Sequence, residues 1–123
     1  MTITEAITKI DSLKPNSYSN IDKIGWLSEL DGRIKKEVID THEGGDSIEF
    51  NPYNDKTNAN KTRLLVSSPH ENIYILWLEN KIDYYNGEIK RYNNSGAAFN
   101  SAYRDFVNAY HSEHMPKPTR LKF

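Results

Sequence analysis

The stretch ILWLENKIDYYNGEIKRYNNSGAAFNSAYRDFVNAY, residues 75–110, decides the fold. Ile75, Ile82, Ile89, Tyr103 and Tyr110 hold one position of a heptad, and Leu78, Tyr85, Tyr92, Phe99 and Phe106 hold another, with Gly96 as the one interruption. Alternating spacings of three and four put both sets on one helical face, so the sequence predicts a long helical seam. Tyr74, Trp77 and Tyr84 form a second stripe beside it, which predicts burial on more than one side. A continuous helix from Pro69 to Tyr110 would run about 60 Å, more than the shorter helices before it can cover. The run Tyr92-Asn93-Asn94-Ser95-Gly96 combines poor helix formers with good caps. The expectation is therefore a reversal at residues 93–96, or burial of part of the seam by another subunit.

Upstream, Thr2 and Glu5 stand at capping-box spacing, and Ile3, Ala6, Ile7, Ile10 and Leu13 share a face before Pro15. A short first helix follows. Ser19 and Asp22 open a second, whose core face runs through Ile24, Leu27, Leu30 or Asp31, Ile34 and Val38 until Gly44 and Gly45 end it. Trp26 lies off that stripe, either widening the buried face or sitting at an interface. The period then changes: Ser47-Ile48-Glu49-Phe50 alternates and Arg63-Leu64-Leu65-Val66 is a short apolar run, so a small β-hairpin with a polar tip is expected at about residues 47–66. Two strands alone are marginal in water, so the pair would lie on the helices or join a neighbour's sheet. Ser68, Pro69 and Glu71 supply a helix start signal for the seam.

The expected fold is mainly α: a four-helix-like domain over residues 1–115 with the hairpin between its second and third helices, then an extended basic tail over residues 116–123. In that tail Pro116 and Pro118 exclude helix, and Lys117, Arg120 and Lys122 carry three positive charges without an acid. Leu121 and Phe123 are apolar anchors suited to a neighbour's groove. Phe50, Tyr53, Lys117, Arg120, Leu121 and Phe123 are thus the candidate subunit or partner interface.

Composition narrows the function. The chain has 123 residues, no cysteine, 16 basic and 17 acidic residues, and a formal charge of −1. This fits one domain, supplies no thiol chemistry and lacks the basic footprint of a dedicated nucleic-acid binder. Its apolar runs are too short to span a bilayer, and its opening residues carry no export pattern. His111 and His114, three apart on a helix, form a weak metal motif without a third ligand at fixed spacing. Glu79 and Asp83 are expected to face solvent or pair with nearby cations such as Lys81. Arg33, Lys35 and Lys36 are interleaved with acids, as on a solvated helix face. No phosphate loop or nucleophile elbow occurs, so no catalytic residue, cofactor or metal is assigned and the chain is not expected to be an enzyme.

Trp26-Leu27-Ser28-Glu29-Leu30-Asp31-Gly32-Arg33-Ile34, Leu64-Leu65-Val66 leading into Pro69, Ile75-Leu76-Trp77-Leu78, and Ala98-Phe99-Asn100-Ser101-Ala102-Tyr103 follow one another in an order that resembles the head-tail connectors, or neck adaptors, of tailed bacteriophages. The chain looks like a prophage protein of low-GC bacteria. The resemblance implies a homo-oligomeric ring that docks on the portal protein and receives the next neck or tail completion protein. It places the chain in the host cytoplasm during assembly and then in the virion neck, around the DNA channel, without membrane or sequence-specific nucleic-acid binding. Two rival readings are a helical regulatory module dimerising through the 75–110 seam, and a metal enzyme using His111 and His114.

Overall fold

The computed structural model describes residues 1–118. Four helices form: α1 (Ile3–Leu13), α2 (Asn20–Glu37), α3 (Asn72–Tyr85) and α4 (Ile89–Glu113), with single 3-10 turns at Ile39–Thr41 and Gly45–Ser47. The first two start where the sequence predicts. Thr2 Oγ1 accepts the Glu5 N–H at 3.2 Å and Ser19 Oγ accepts the Asp22 N–H at 3.1 Å, each satisfying a first-turn donor that has no helical partner.

Ile3, Ile10, Leu27, Leu30, Ile34, Leu78 and Ile82 are fully buried and make the centre of the core, each worth about 1.5–3 kcal/mol of transfer free energy. Trp26 joins this core. Its ring stacks on Tyr85 at 5.4 Å, and its carbonyl accepts the Trp77 indole N–H at 2.7 Å.

α2 stops at Glu37 rather than at Gly44 and Gly45. The Val38 carbonyl accepts the Thr41 hydroxyl and meets the His42 ring, each at 2.7 Å. Those contacts satisfy a terminal carbonyl without another helical turn. The two glycines serve the turn that follows: Gly44 has φ 82°, and a Cβ on Gly45 would lie 2.1 Å from the Ile39 carbonyl oxygen.

The expected β-hairpin at 47–66 is absent, and among the described residues there is no strand, only the isolated bridges Thr2 with Arg63 and His42 with Pro116. The reason lies in where the backbone donors go. The Tyr53 N–H bonds Ser28 Oγ at 2.9 Å, the Leu65 N–H bonds Asp31 Oδ2 at 3.0 Å and the Val66 N–H bonds the Tyr74 hydroxyl at 2.7 Å. Leu64 N–H and Ile3 N–H tie the segment to the N-terminus instead, through the Met1 and Thr62 carbonyls. With its donors taken by helix side chains and by the first residues, the loop has no ladder left to offer residues 47–50.

α3 begins at Asn72, not at Ser68 and Pro69, because residues 67–70 form a turn closed by the His70 N–H on the Ser67 carbonyl at 3.0 Å. Glu71 pairs with the Met1 amino group and does not cap the helix.

The reversal within the seam falls at Gly87, not at residues 93–96. Gly87 has φ 72°, its N–H bonds the Tyr84 carbonyl and the Glu88 N–H bonds the Asp83 carbonyl, each at 3.1 Å. This is the Schellman arrangement, and it needs a residue free to adopt left-handed φ. α3 and α4 then run back along each other. Tyr84 meets Tyr92, Trp77 meets Phe99 and His70 meets Phe106 at centroid distances of 5.6, 5.1 and 5.9 Å. Every one of these pairs is centred on Glu88, and successive pairs lie one heptad apart, so the seam closes largely upon itself.

Candidate interaction surface

Two buried carboxylates set the framework. Asp31, fully buried on α2, accepts the Tyr53 and Tyr74 hydroxyls at 2.6 Å each and the Leu65 N–H at 3.0 Å. One side chain thereby fastens the long loop to both α2 and α3. Burial pushes the Asp31 carboxyl above the ordinary carboxylate range, and its three donors offset this only in part. Burial and the Asp31 charge together push the Tyr53 and Tyr74 phenols well above their usual value.

Asp83 is equally buried, and Ser95 of α4 donates to its Oδ2 at 2.8 Å while the Lys14 ammonium meets its Oδ1. Of the two alternatives expected for Asp83, solvent or a nearby cation, the structure gives the cation, with Lys14 in the place suggested for Lys81. Asn80 donates to the Tyr92 carbonyl at 2.9 Å and to Ser95 Oγ at 3.2 Å. The hydrogen bonds explain why residues 93–96 stay helical despite their poor propensity. A Cβ on Gly96 would lie 3.2 Å from Asn80 Nδ2, so a small residue is what permits this approach.

The network holds a corner where α3 hands over to α4. There the seam is not covered: Tyr84 is 58% exposed, Tyr85 54%, Ile89 74% and Tyr92 37%. A cavity of about 280 Å³ opens beside Gly87, walled by Tyr84, Ile89 and Tyr92 and edged by Glu88 and Asn93. By contrast Ile75, Leu78, Ile82, Phe99 and Phe106 are buried within the one chain. The seam as a whole is therefore no open dimer face, and among the described residues its most exposed part is this corner.

The interface residues named from sequence separate. Tyr53 is buried against Asp31, so it serves the fold and offers nothing to a neighbour. Phe50 is half-buried, edge-on to Tyr53 at 5.3 Å and lying over Gly32. Lys117 is tied down: its N–H bonds the Thr41 carbonyl at 2.9 Å, its Nζ meets Asp46 Oδ1 at 3.0 Å, and just before it the Glu43 N–H bonds the Met115 carbonyl at 2.7 Å. The tail expected to begin at residue 116 is thus held against the fold at its start, with Pro116, Lys117 and Pro118 exposed. Arg120, Leu121 and Phe123 lie outside the described residues.

His111 is paired with a histidine the sequence spacing did not single out. Its Nδ1 lies 3.4 Å from His42 Nε2, while His114 stacks on Tyr110 at 3.9 Å. Among the described residues no three histidines or acids are grouped to hold a metal ion. Arg33 bonds Glu37 at 2.9 Å and sits over the Tyr103 ring, and Lys35 pairs with Asp40, so this basic group is engaged within the chain. No helix among the described residues is long and apolar enough to cross a membrane. Compared with known families, curated proteins and solved structures, the chain matches none.

Proposed function

We propose that this chain is a structural adaptor in the assembly of tailed-phage particles, whose copies form a ring that docks on the portal and receives the next neck or tail protein. The observation that carries the reading is the aromatic corner of Tyr84, Tyr85, Ile89 and Tyr92. These side chains stay open, whereas Ile75, Leu78, Ile82, Phe99 and Phe106 of the seam are buried and Tyr103 and Tyr110 are partly buried. The corner is also rigid, because Asp83 ties it to Lys14 of the segment after α1 and to Ser95 of α4. A fixed apolar patch that excludes water only when a partner covers it is suited to contact between proteins. The order of apolar segments that resembles the neck adaptors points to the same use, and the reading assigns no catalytic step to the chain.

The test is the mass of the protein alone and mixed with the portal assembly of the same phage, measured by light scattering after size exclusion. A ring-sized species that co-elutes with portal supports the reading. A chain that stays monomeric at every concentration and ignores the portal contradicts it.

A further inference from the structure

We infer that the corner cavity receives residues 120–123 of a second copy, so that subunits join head to tail. The inference rests on the assembly reading and names its contact. Both halves of the contact belong to this chain. The cavity beside Gly87 is walled by the apolar faces of Tyr84, Ile89 and Tyr92, and Glu88 stands at its edge. Among the described residues Glu88 Oε2 receives no hydrogen bond, although the exposed Arg91 lies 3.2 Å away as an ion-pair partner. The segment Arg120-Leu121-Lys122-Phe123 alternates cations with large apolar side chains. Leu121 and Phe123 match the apolar walls, and Arg120 and Lys122 match the carboxylate and the exposed tyrosine faces, which attract cations.

Geometry makes the contact intermolecular. Residues 115–117 are fixed beside Thr41, Glu43 and Asp46, next to the C-terminal end of α4 where His42 meets His111. The cavity lies at the other end of the same helix, 25 residues away, a length of about 37 Å. From Pro118 the chain to Phe123 spans at most about 17 Å when fully extended. The segment therefore cannot reach its own cavity, whereas it can reach that of an adjacent copy. A donor at one end of the molecule and an acceptor at the other give a heterologous contact, which closes into a ring when the rotation between subunits allows it.

The native chain contains no cysteine, so introduced thiols report the contact without background. Asn93→Cys places one at the cavity edge and leaves its apolar walls intact, and Lys122→Cys places one between Leu121 and Phe123. Under mild oxidation the mixture of the two full-length proteins should form a disulfide-linked heterodimer on the order of tenfold faster than either variant forms its own dimer, because binding raises the effective concentration. Adding Phe123→Ser to the Lys122→Cys protein should remove that advantage. Equally rapid dimers of Asn93→Cys alone would overturn the inference in favour of corner-to-corner pairing. Closure on itself, as a monomer, of a third protein carrying both Asn93→Cys and Lys122→Cys would overturn it in favour of an internal contact. Absence of the cross-link overturns it as well, and mass measured in parallel separates the two cases. Oligomers without the cross-link leave the assembly reading standing, and monomers remove both.

Discussion

Ser95 on α4 donates its hydroxyl to the fully buried Asp83 carboxylate on α3 at 2.8 Å, and Asn80 of α3 donates to the same Ser95 Oγ at 3.2 Å. This bond holds the two arms of the reversal in register beside Gly87. Replacing Ser95 with alanine leaves Asp83 with the Lys14 ammonium and removes one acceptor of Asn80. The expected loss is about 1–3 kcal/mol of unfolding free energy, checked by urea denaturation. A loss within experimental error would show that Lys14 alone satisfies Asp83.

Asp31 makes a pH-dependent prediction. Its folded pKa is raised, chiefly by burial, so the stability linked to it is complete below the ordinary carboxylate value and is lost as pH rises through the folded value. Asp31→Asn removes the titration but keeps one acceptor for the loop. The advantage of the wild type over this variant is expected to be largest at and below the ordinary carboxylate value of about 4 and to shrink as pH rises above it, as followed by thermal unfolding across acid and neutral pH. An advantage that grows with pH would contradict the direction of the shift.

Gly87 tests the reversal itself. Its φ of 72° is unfavourable for alanine, although the space for a Cβ is open. Gly87→Ala should therefore cost about 1–2 kcal/mol through backbone conformation alone, and Gly87→Asn should cost less because asparagine tolerates left-handed φ. Parallel urea titrations give the order. Equal effects of the two substitutions would mean that something other than φ governs the position.

The heptad spacing of residues 75–110 was readable because it depends on identity and interval alone. The place of the reversal was not read, and the structure shows why. Gly87 falls between Tyr85 and Ile89 without occupying a seam position, and the two arms meet symmetrically about Glu88, so the periodicity crosses the turn without losing phase. Gly96 does occupy a seam position and drew the reading to the wrong glycine. Its smallness serves the close approach of Asn80. Asn86-Gly87 was the available signal, since glycine just past a helix end favours this cap. The hairpin expectation failed for a different reason. Leu65 and Val66 donate to Asp31 and Tyr74, partners remote in sequence that alternation cannot reveal. Of the interface, the burial of Tyr53 depends on its bond to Asp31, a partner equally invisible to alternation, while the exposure of Tyr84, Ile89 and Tyr92 follows from the position of the reversal.

The most direct measurement of the central claim is the sedimentation of the wild type and of an Ile89→Ser, Tyr84→Ser double variant across concentration, alone and with the portal. Both side chains are largely exposed, so Ile89→Ser should cost about 0.5 kcal/mol and Tyr84→Ser, which also gives up its ring contacts with Tyr85 and Tyr92, about 0.5–1.5 kcal/mol for each pair, and urea denaturation confirms that the variant is folded. The account predicts that the wild type associates and the folded variant remains monomeric. Equal association of the two proteins would contradict it.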